Sequence, residues 1–212
     1  SKHLRAWLNL RFTVEKRAKA FTAGLERCGY EVHRGLTNKP LPGDILVTWN
    51  RIGHANRIAQ IFEGLGLPVL VTENATWGNS FAGDSWYHIA RGHHNTAGCF
   101  DYGGADRWDS LRVDLAPWRK NGETVILPQR GIGSPPVRMP PEWLRKAIKR
   151  HGGRVRKHPG QRACKPIEED LATAGWVVTW GSGAAVKALT MGIPVISYIP
   201  NWIAQQDNTT EG

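Results

Sequence analysis

The chain has few cysteines: Cys28, Cys99 and Cys164, an odd number with no Cys-x-x-Cys spacing in 212 residues. That pattern excludes a disulfide framework and a structural zinc cage, and it suits a reducing compartment. Long apolar runs are missing as well. None approaches the roughly 18 residues that a membrane-spanning helix needs, and no cationic-then-apolar leader opens the sequence. The expectation is a soluble protein of the bacterial or phage-infected cytoplasm, without membrane insertion. Acid is the scarcer charge, with 18 Asp and Glu against 28 Lys and Arg and a formal charge of +10. Nor is there an internal repeat that would suggest a solenoid or propeller.

What is present is an ordinary globular composition, 41% hydrophobic, too apolar for disorder. The basic excess is concentrated in the second half. Between residues 130 and 165 eleven Lys and Arg meet a single acid, Glu142. A solvated face is the ordinary account of such a run. Here it overlaps the inferred ligand edge, so an anionic partner is an equal expectation: a nucleotide, a nucleic acid or an acidic polysaccharide.

Two α/β units are legible. In the first, residues 4–10 form a strand and 13–28 a helix, with Val14, Ala18, Phe21 and Leu25 at helical spacing and Gly29 as the stop. Residues 44–49 and 67–72 are further strands, separated by a helix lined by Ala55, Ile58, Ala59, Phe62 and Leu65. Residues 74–118, rich in Gly, Asn, Asp and Trp, read as functional loop. Residues 116–122 read as a linker, which divides the chain into domains 1–117 and 118–212. The second unit opens with the strand Glu123–Leu127 and the turn Gln129-Arg130-Gly131-Ile132-Gly133-Ser134. A helix follows from Pro140 and Pro141 to the stop at Gly152, basic in its last turn as the helix dipole favours. A strand over 153–157 leads to His158-Pro159-Gly160. A helix from Pro166 with Glu168, Glu169 and Asp170 in its first turn is to stop at Gly175. A strand over 176–179 then meets Gly181-Ser182-Gly183, which starts the next helix. Alternation of this kind predicts mostly parallel sheets whose ligands bind beyond the carboxyl ends of the strands.

The strand ending in His158-Pro159, the small-residue helix start at 181–183 and the strand Gly192-Ile193-Pro194-Val195-Ile196 together resemble the donor half of GT-B-fold glycosyltransferases, and related nucleotide-sugar epimerases share the arrangement. The resemblance covers about 80 residues closely, the turn at 129–133 included, and the first half in outline. It implies two Rossmann-like parallel-sheet domains facing a cleft, a nucleotide-sugar (nucleoside diphosphate) donor and no further cofactor. It places His158 at the pyrophosphate or base and Ser182 and Gly183 at a phosphate, with Gly131, Gly133 and Gly181 shaping the site. Arg130 and Lys165 add positive charge to it. Ser182 serves equally as a plain helix cap. In this sequence Lys187 stands where many members of the family hold the donor ribose with a glutamate.

In the first unit Glu73 is the expected catalytic base, with Asp84 and His93 (beside His94) as competitors. His88, His93, His94 and Cys99 match no zinc spacing, so no metal is expected. Of the ten tryptophans, Trp7, Trp49 and Trp176 are assigned to the core, and Trp77, Trp86, Trp108 and Trp118 to loops where a ring stacks on a sugar or base. Lys149, Arg150, Arg154, Arg156, Lys157, Arg162 and Lys165 are the candidate contacts to a polyanion. The favoured acceptor is a hydroxymethylated base in DNA, as in phage-type glucosyltransferases of this fold. The alternatives are a capsule or lipopolysaccharide chain, an epimerase acting on one small molecule, or a nucleic-acid-binding module without catalysis.

Overall fold

The structure is a computed structural model, which describes residues 4–10, 15–75, 87–93, 103–133, 135, 137–158 and 165–199. The described chain forms two compact units, one running to Glu73 and including 87–93, the other holding 103–199.

The first unit is built on β1 (Leu4–Asn9), β2 (Tyr30–Arg34), β3 (Ile45–Trp49), β4 (Val69–Asn74) and β5 (Tyr87–Arg91), in the order β2-β1-β3-β4-β5. The first four are parallel, with Ala6 beside Val32 and Ile45, and Leu46 beside Val69. The Gly92 N–H donates to the Val69 carbonyl at 2.9 Å, which puts the end of β5 at the start of β4 and makes this edge antiparallel. Helices α1 (Glu15–Arg27) and α2 (His54–Gly64) supply the crossovers. Side-chain alternation sorts β3 between them. Ile45 and Val47 pack with Ala6, Leu8, Phe21 and Leu25 on the α1 side, and Leu46 packs with Ile58, Ala59, Phe62 and Val71 on the α2 side. A strand covered on both faces is apolar throughout rather than alternating, which is why β3 is so visible in the sequence.

The second unit repeats the design. Strands β6 (Glu123–Leu127), β7 (Arg154–Val155), β8 (Ala174–Thr179) and β9 (Val195–Ser197) are all parallel, in the order β7-β6-β8-β9. Helices α3 (Asp106–Leu111), α4 (Trp143–His151), α5 (Ile167–Asp170) and α6 (Ala184–Thr190) belong to this unit. Ile126 and Val178 pack against Trp143 and Ala147 of α4, with Trp180 and Tyr198 tilted edge-on to the Trp143 ring.

Local expectations are corrected at five points. β2, β5 and α3 have no counterpart in the sequence reading. β2 is a polar edge strand whose periodicity is weak, and β5 and α3 fall in the stretch read as loop. Gly175 does not stop a helix: α5 is one turn long and Gly175 lies inside β8, where its backbone runs against Asn121 and Gly122. Residues 116–119, read as linker, are fastened to the second unit. Ala116 N–H donates to Thr190 O and Arg119 N–H to Gly192 O, while the Arg119 guanidinium bonds the carbonyls of Leu171, Ala172 and Ala174.

Candidate functional site

In the second sheet the chain passes from β6 outward to β7 and then back across to β8, so the strand order reverses between β6 and β8. A crevice opens at the carboxyl ends of two such strands, and in open α/β sheets ligands settle there. Gln129, just past β6, spans it and donates from Nε2 to the Gly181 carbonyl at 3.2 Å. That carbonyl fixes the amide orientation and leaves Gln129 Oε1 buried, with no donor to it among the described residues. Gly131 and Gly133 have φ of 68° and 118°, left-handed values that favour glycine, and they turn the loop around Arg130 back over the strand ends.

On the β8 side, Thr179 Oγ1 donates to Leu127 O at 2.8 Å and accepts the Ser182 N–H at 3.0 Å. Ser182 Oγ in turn accepts the Ala184 N–H at 3.3 Å. The N-cap position of α6 is Gly183 rather than Ser182, which receives the first helical N–H from one residue further out while its own N–H is engaged inside the turn.

His158 follows β7. Partial desolvation and the guanidinium charges of Arg130 and Arg156 hold its pKa below the ordinary histidine value, so the ring is neutral near pH 7. An arriving phosphate would reverse that balance. Three expected basic contacts are already engaged or lie elsewhere. Arg154 is paired with Glu123 and Asp170, Arg156 with Asp170 at 2.5 Å, and Arg162 lies outside the described residues. Lys149, Arg150 and Lys157 are exposed, as is Lys165, whose carbonyl accepts from Arg156. Lys187 meets Glu168 Oε1 at 2.9 Å, and this bond lowers the Glu168 pKa. Glu168 of α5 thus brings a carboxylate against Lys187 of α6.

In the first unit Glu73 sits at the carboxyl end of β4, half-buried, with Oε1 fully covered. His93 is placed differently. It follows Gly92, which pairs with the first residue of β4, so it lies toward the amino ends of the parallel strands. Burial and the Arg51 charge, opposed by Glu63, keep its ring neutral. Asp84, His94, Cys99, Trp77 and Trp86 lie outside the described residues, which hold no cluster able to bind a metal ion. Trp108 and Trp118 are exposed, and Trp7, Trp49 and Trp176 are half-buried.

One feature of the first unit has no counterpart in the sequence reading. The strand order of its sheet reverses between β1 and β3, and at their carboxyl ends Asn9, Leu10, Trp49, Asn50, Ile52 and Ala55 line a pocket of about 240 Å³. Neither strand pairing nor its reversal is written in local periodicity; only long-range register creates the pocket. No helix among the described residues is long and apolar enough to cross a membrane.

By sequence, no family model and no curated protein matches this chain. By structure it is similar to two solved structures of KpsC from Thermosulfurimonas dismutans. One is a beta Kdo 2,4 transferase, with a TM-score of 0.55 and 16% identity over 93% of this chain and 80% of that one. The other is a beta Kdo 2,7 transferase, with a TM-score of 0.50 and 12% identity over 92% and 78%. The chain has a glycosyltransferase-like fold of the GT-B type.

Proposed function

We propose that the protein is a glycosyltransferase, an enzyme that takes a nucleotide-sugar on the second unit and passes the sugar to a hydroxyl group of a saccharide acceptor. The observation that carries this reading is that the Arg130 charge, past β6, acts on His158, past the neighbouring strand β7, beside the β6–β8 switch point in a chain of this fold. In the transfer, the acceptor oxygen bonds to the anomeric carbon as the bond from that carbon to the phosphate oxygen breaks. The electron pair leaves with the nucleotide phosphate, where Arg130 and a newly protonated His158 neutralise it. The acceptor proton goes to a carboxylate, with Glu73 as the base. Gln129 and the turn at 181–183 shape the donor site, and Lys187 with Glu168 borders it.

The capsule-type acceptor is supported by the names of the structural neighbours, which are Kdo transferases. The hydroxymethylated DNA base gains nothing from them, and two of its expected contacts, Arg154 and Arg156, spend their charge on Asp170 and Glu123. What favours a polyanion of either kind is the outer face of α4, where Arg145, Lys146, Lys149 and Arg150 are all exposed.

A thermal-shift panel of nucleoside mono- and diphosphates and their sugar conjugates, with and without DNA or an acidic oligosaccharide, tests the reading. Stabilisation by one nucleotide family, lost in His158→Ala, is expected. Stabilisation by none of them would overturn the donor site.

A further inference from the structure

We propose that the pocket at the carboxyl ends of β1 and β3 holds one uncharged sugar ring through the Asn9 and Asn50 carboxamides, as the end residue of the saccharide acceptor. That the ring is an acceptor rests on the transferase reading; that the pocket takes such a ring rests on the pocket's own lining.

The chemistry of the wall comes first. Asn9 and Asn50 supply carboxamides, Trp49 an indole, and Leu10, Ile52 and Ala55 aliphatic surface, with no ionisable group among these six residues. A carboxamide both donates and accepts hydrogen bonds, and so does a sugar hydroxyl. A carboxylate or phosphate only accepts, and no cation among the lining residues would offset its desolvation. The apolar members of the wall suit the C–H groups of a pyranose. No second aromatic residue lines the space to sandwich a flat base. At about 240 Å³ the pocket is below the roughly 300–1,000 Å³ usual for drug-sized ligands, which fits one ring and not a whole nucleotide.

The second observation is that the carboxamides are set in advance. Asn9 Nδ2 donates to Thr48 Oγ1 at 2.9 Å, and Thr48 Oγ1 donates its one proton to the Asn50 carbonyl at 3.1 Å. The Thr48 hydroxyl can therefore only accept from Asn9, which fixes that amide with Oδ1 turned away from the hydroxyl. Asn50 is held by its backbone, which is left-handed at φ 62°, with its N–H on Thr72 O at 3.0 Å and its carbonyl on Thr48. Asn9 Oδ1 and the Asn50 side-chain amide have no partner among the described residues, and both residues are half-buried rather than sealed. The indole is braced as well, by the Arg17 guanidinium 3.6 Å from its ring centroid and by Tyr87 edge-on at 6.0 Å. Groups fixed before a ligand arrives cost little ordering when it binds.

The third observation is position. Trp49 pairs with Thr72 in the β3–β4 register, and the Asn50 N–H bonds the Thr72 carbonyl. Asn50 thus lies beside Glu73, the next residue of β4 and the expected base. A ring in the pocket sits at the same strand ends as that carboxylate.

The test uses the full chain, labelled with nitrogen-15, titrated by NMR with the methyl glycosides of glucose, galactose and mannose. Methyl glucuronide, the same ring bearing a carboxylate, and adenosine are the contrasting probes. The expected result is a saturable shift of the Asn9 and Asn50 side-chain amides with at least one neutral glycoside, and a much weaker response to the glucuronide and to adenosine. Asn9→Ala and Asn50→Gly, the latter suited to the left-handed backbone, should each weaken that binding by about fivefold, the loss of about one hydrogen bond. If either variant does not fold, the wild-type titration still decides. No saturable shift with any neutral glycoside, a glucuronide or adenosine bound as tightly as the best of them, or undiminished binding in both folded variants overturns the proposal. Nucleoside diphosphates titrated into the same sample separate the two readings. Glycosides bound without nucleotides leave the pocket assigned and sink the transferase; nucleotides bound without glycosides do the reverse.

Discussion

At Asp44 four donors converge on one buried carboxylate: Arg5 Nε and Nη2, the Trp7 indole N–H and the Leu41 backbone N–H. The residue is 1% exposed. Burial alone would raise its pKa, but the Arg5, Leu41 and Trp7 hydrogen bonds outweigh that and hold it below the ordinary aspartate value. A depressed folded pKa means stability that is present at neutral pH and lost as pH falls through the acid range. Asp44→Asn should therefore cost about 2 kcal/mol at pH 7. Its urea midpoint should also change less than wild type's between about pH 5 and about pH 3. His158 gives the second residue-scale prediction. Its free ring has a lowered pKa, and a bound phosphate raises it, so the complex carries the extra proton between the two values. Nucleotide binding should tighten as pH falls from about 8 to about 6 and level off below the free pKa, with proton uptake measurable by calorimetry in buffers of different ionisation enthalpy. Of the two residues, His158 stands out in the sequence, as a histidine between a short basic strand and the pair Pro159-Gly160. Asp44 does not, because its side-chain partners Arg5 and Trp7 lie far off in sequence.

At the scale of elements, the strands β1, β3, β4, β6 and β8 were legible as apolar runs bounded by Gly and Pro, and α1, α2 and α4 as periodic helices with glycine stops. Edge strands and one-turn helices were not. A strand such as β2, exposed along one side, needs no continuous apolar run, and α5 is held by its neighbours rather than by its own propensity. The junction of α6 and β9 shows the same dependence. Gly192 has φ 72°, and a Cβ there would collide with the backbone of Pro117 and come within 2.9 Å of Ala116 O. Gly192→Ala should cost about 2 kcal/mol or more through the strained φ and the close approach together. It should also free residues 116–119 to exchange their amide hydrogens faster, read by hydrogen–deuterium exchange.

For the molecule as a whole, the charge of +10 is partly spent internally. Arg5, Arg51, Arg154 and Arg156 are neutralised by carboxylates of their own units, whereas the cations on the outer face of α4 are exposed and, among the described residues, only Lys146 has a carboxylate beside it, Glu142 at 3.7 Å. Reversing Arg145, Lys146, Lys149 and Arg150 to Glu should leave small-nucleotide binding nearly unchanged at about 0.15 M salt, where the screening length is about 8 Å. Binding of a polyanionic acceptor should collapse, and the wild type's steep loss of that binding with salt should flatten, as titration at several salt concentrations would show.

The sequence by itself determined two α/β units, the parallel character of their strands, the basic second half and the place of the turns around Arg130, His158 and Ser182. These follow from local periodicity, turn chemistry and composition, which are properties of neighbouring residues. Tertiary structure alone decided the strand orders, and with them the two switch points where ligands can enter. It also decided which arginines spend their charge internally, since Arg154 and Arg156 meet Asp170. Pairing across a sheet joins residues from 18 positions apart (Val177 with Val195) to 52 (Val125 with Val177), and no local pattern encodes that choice.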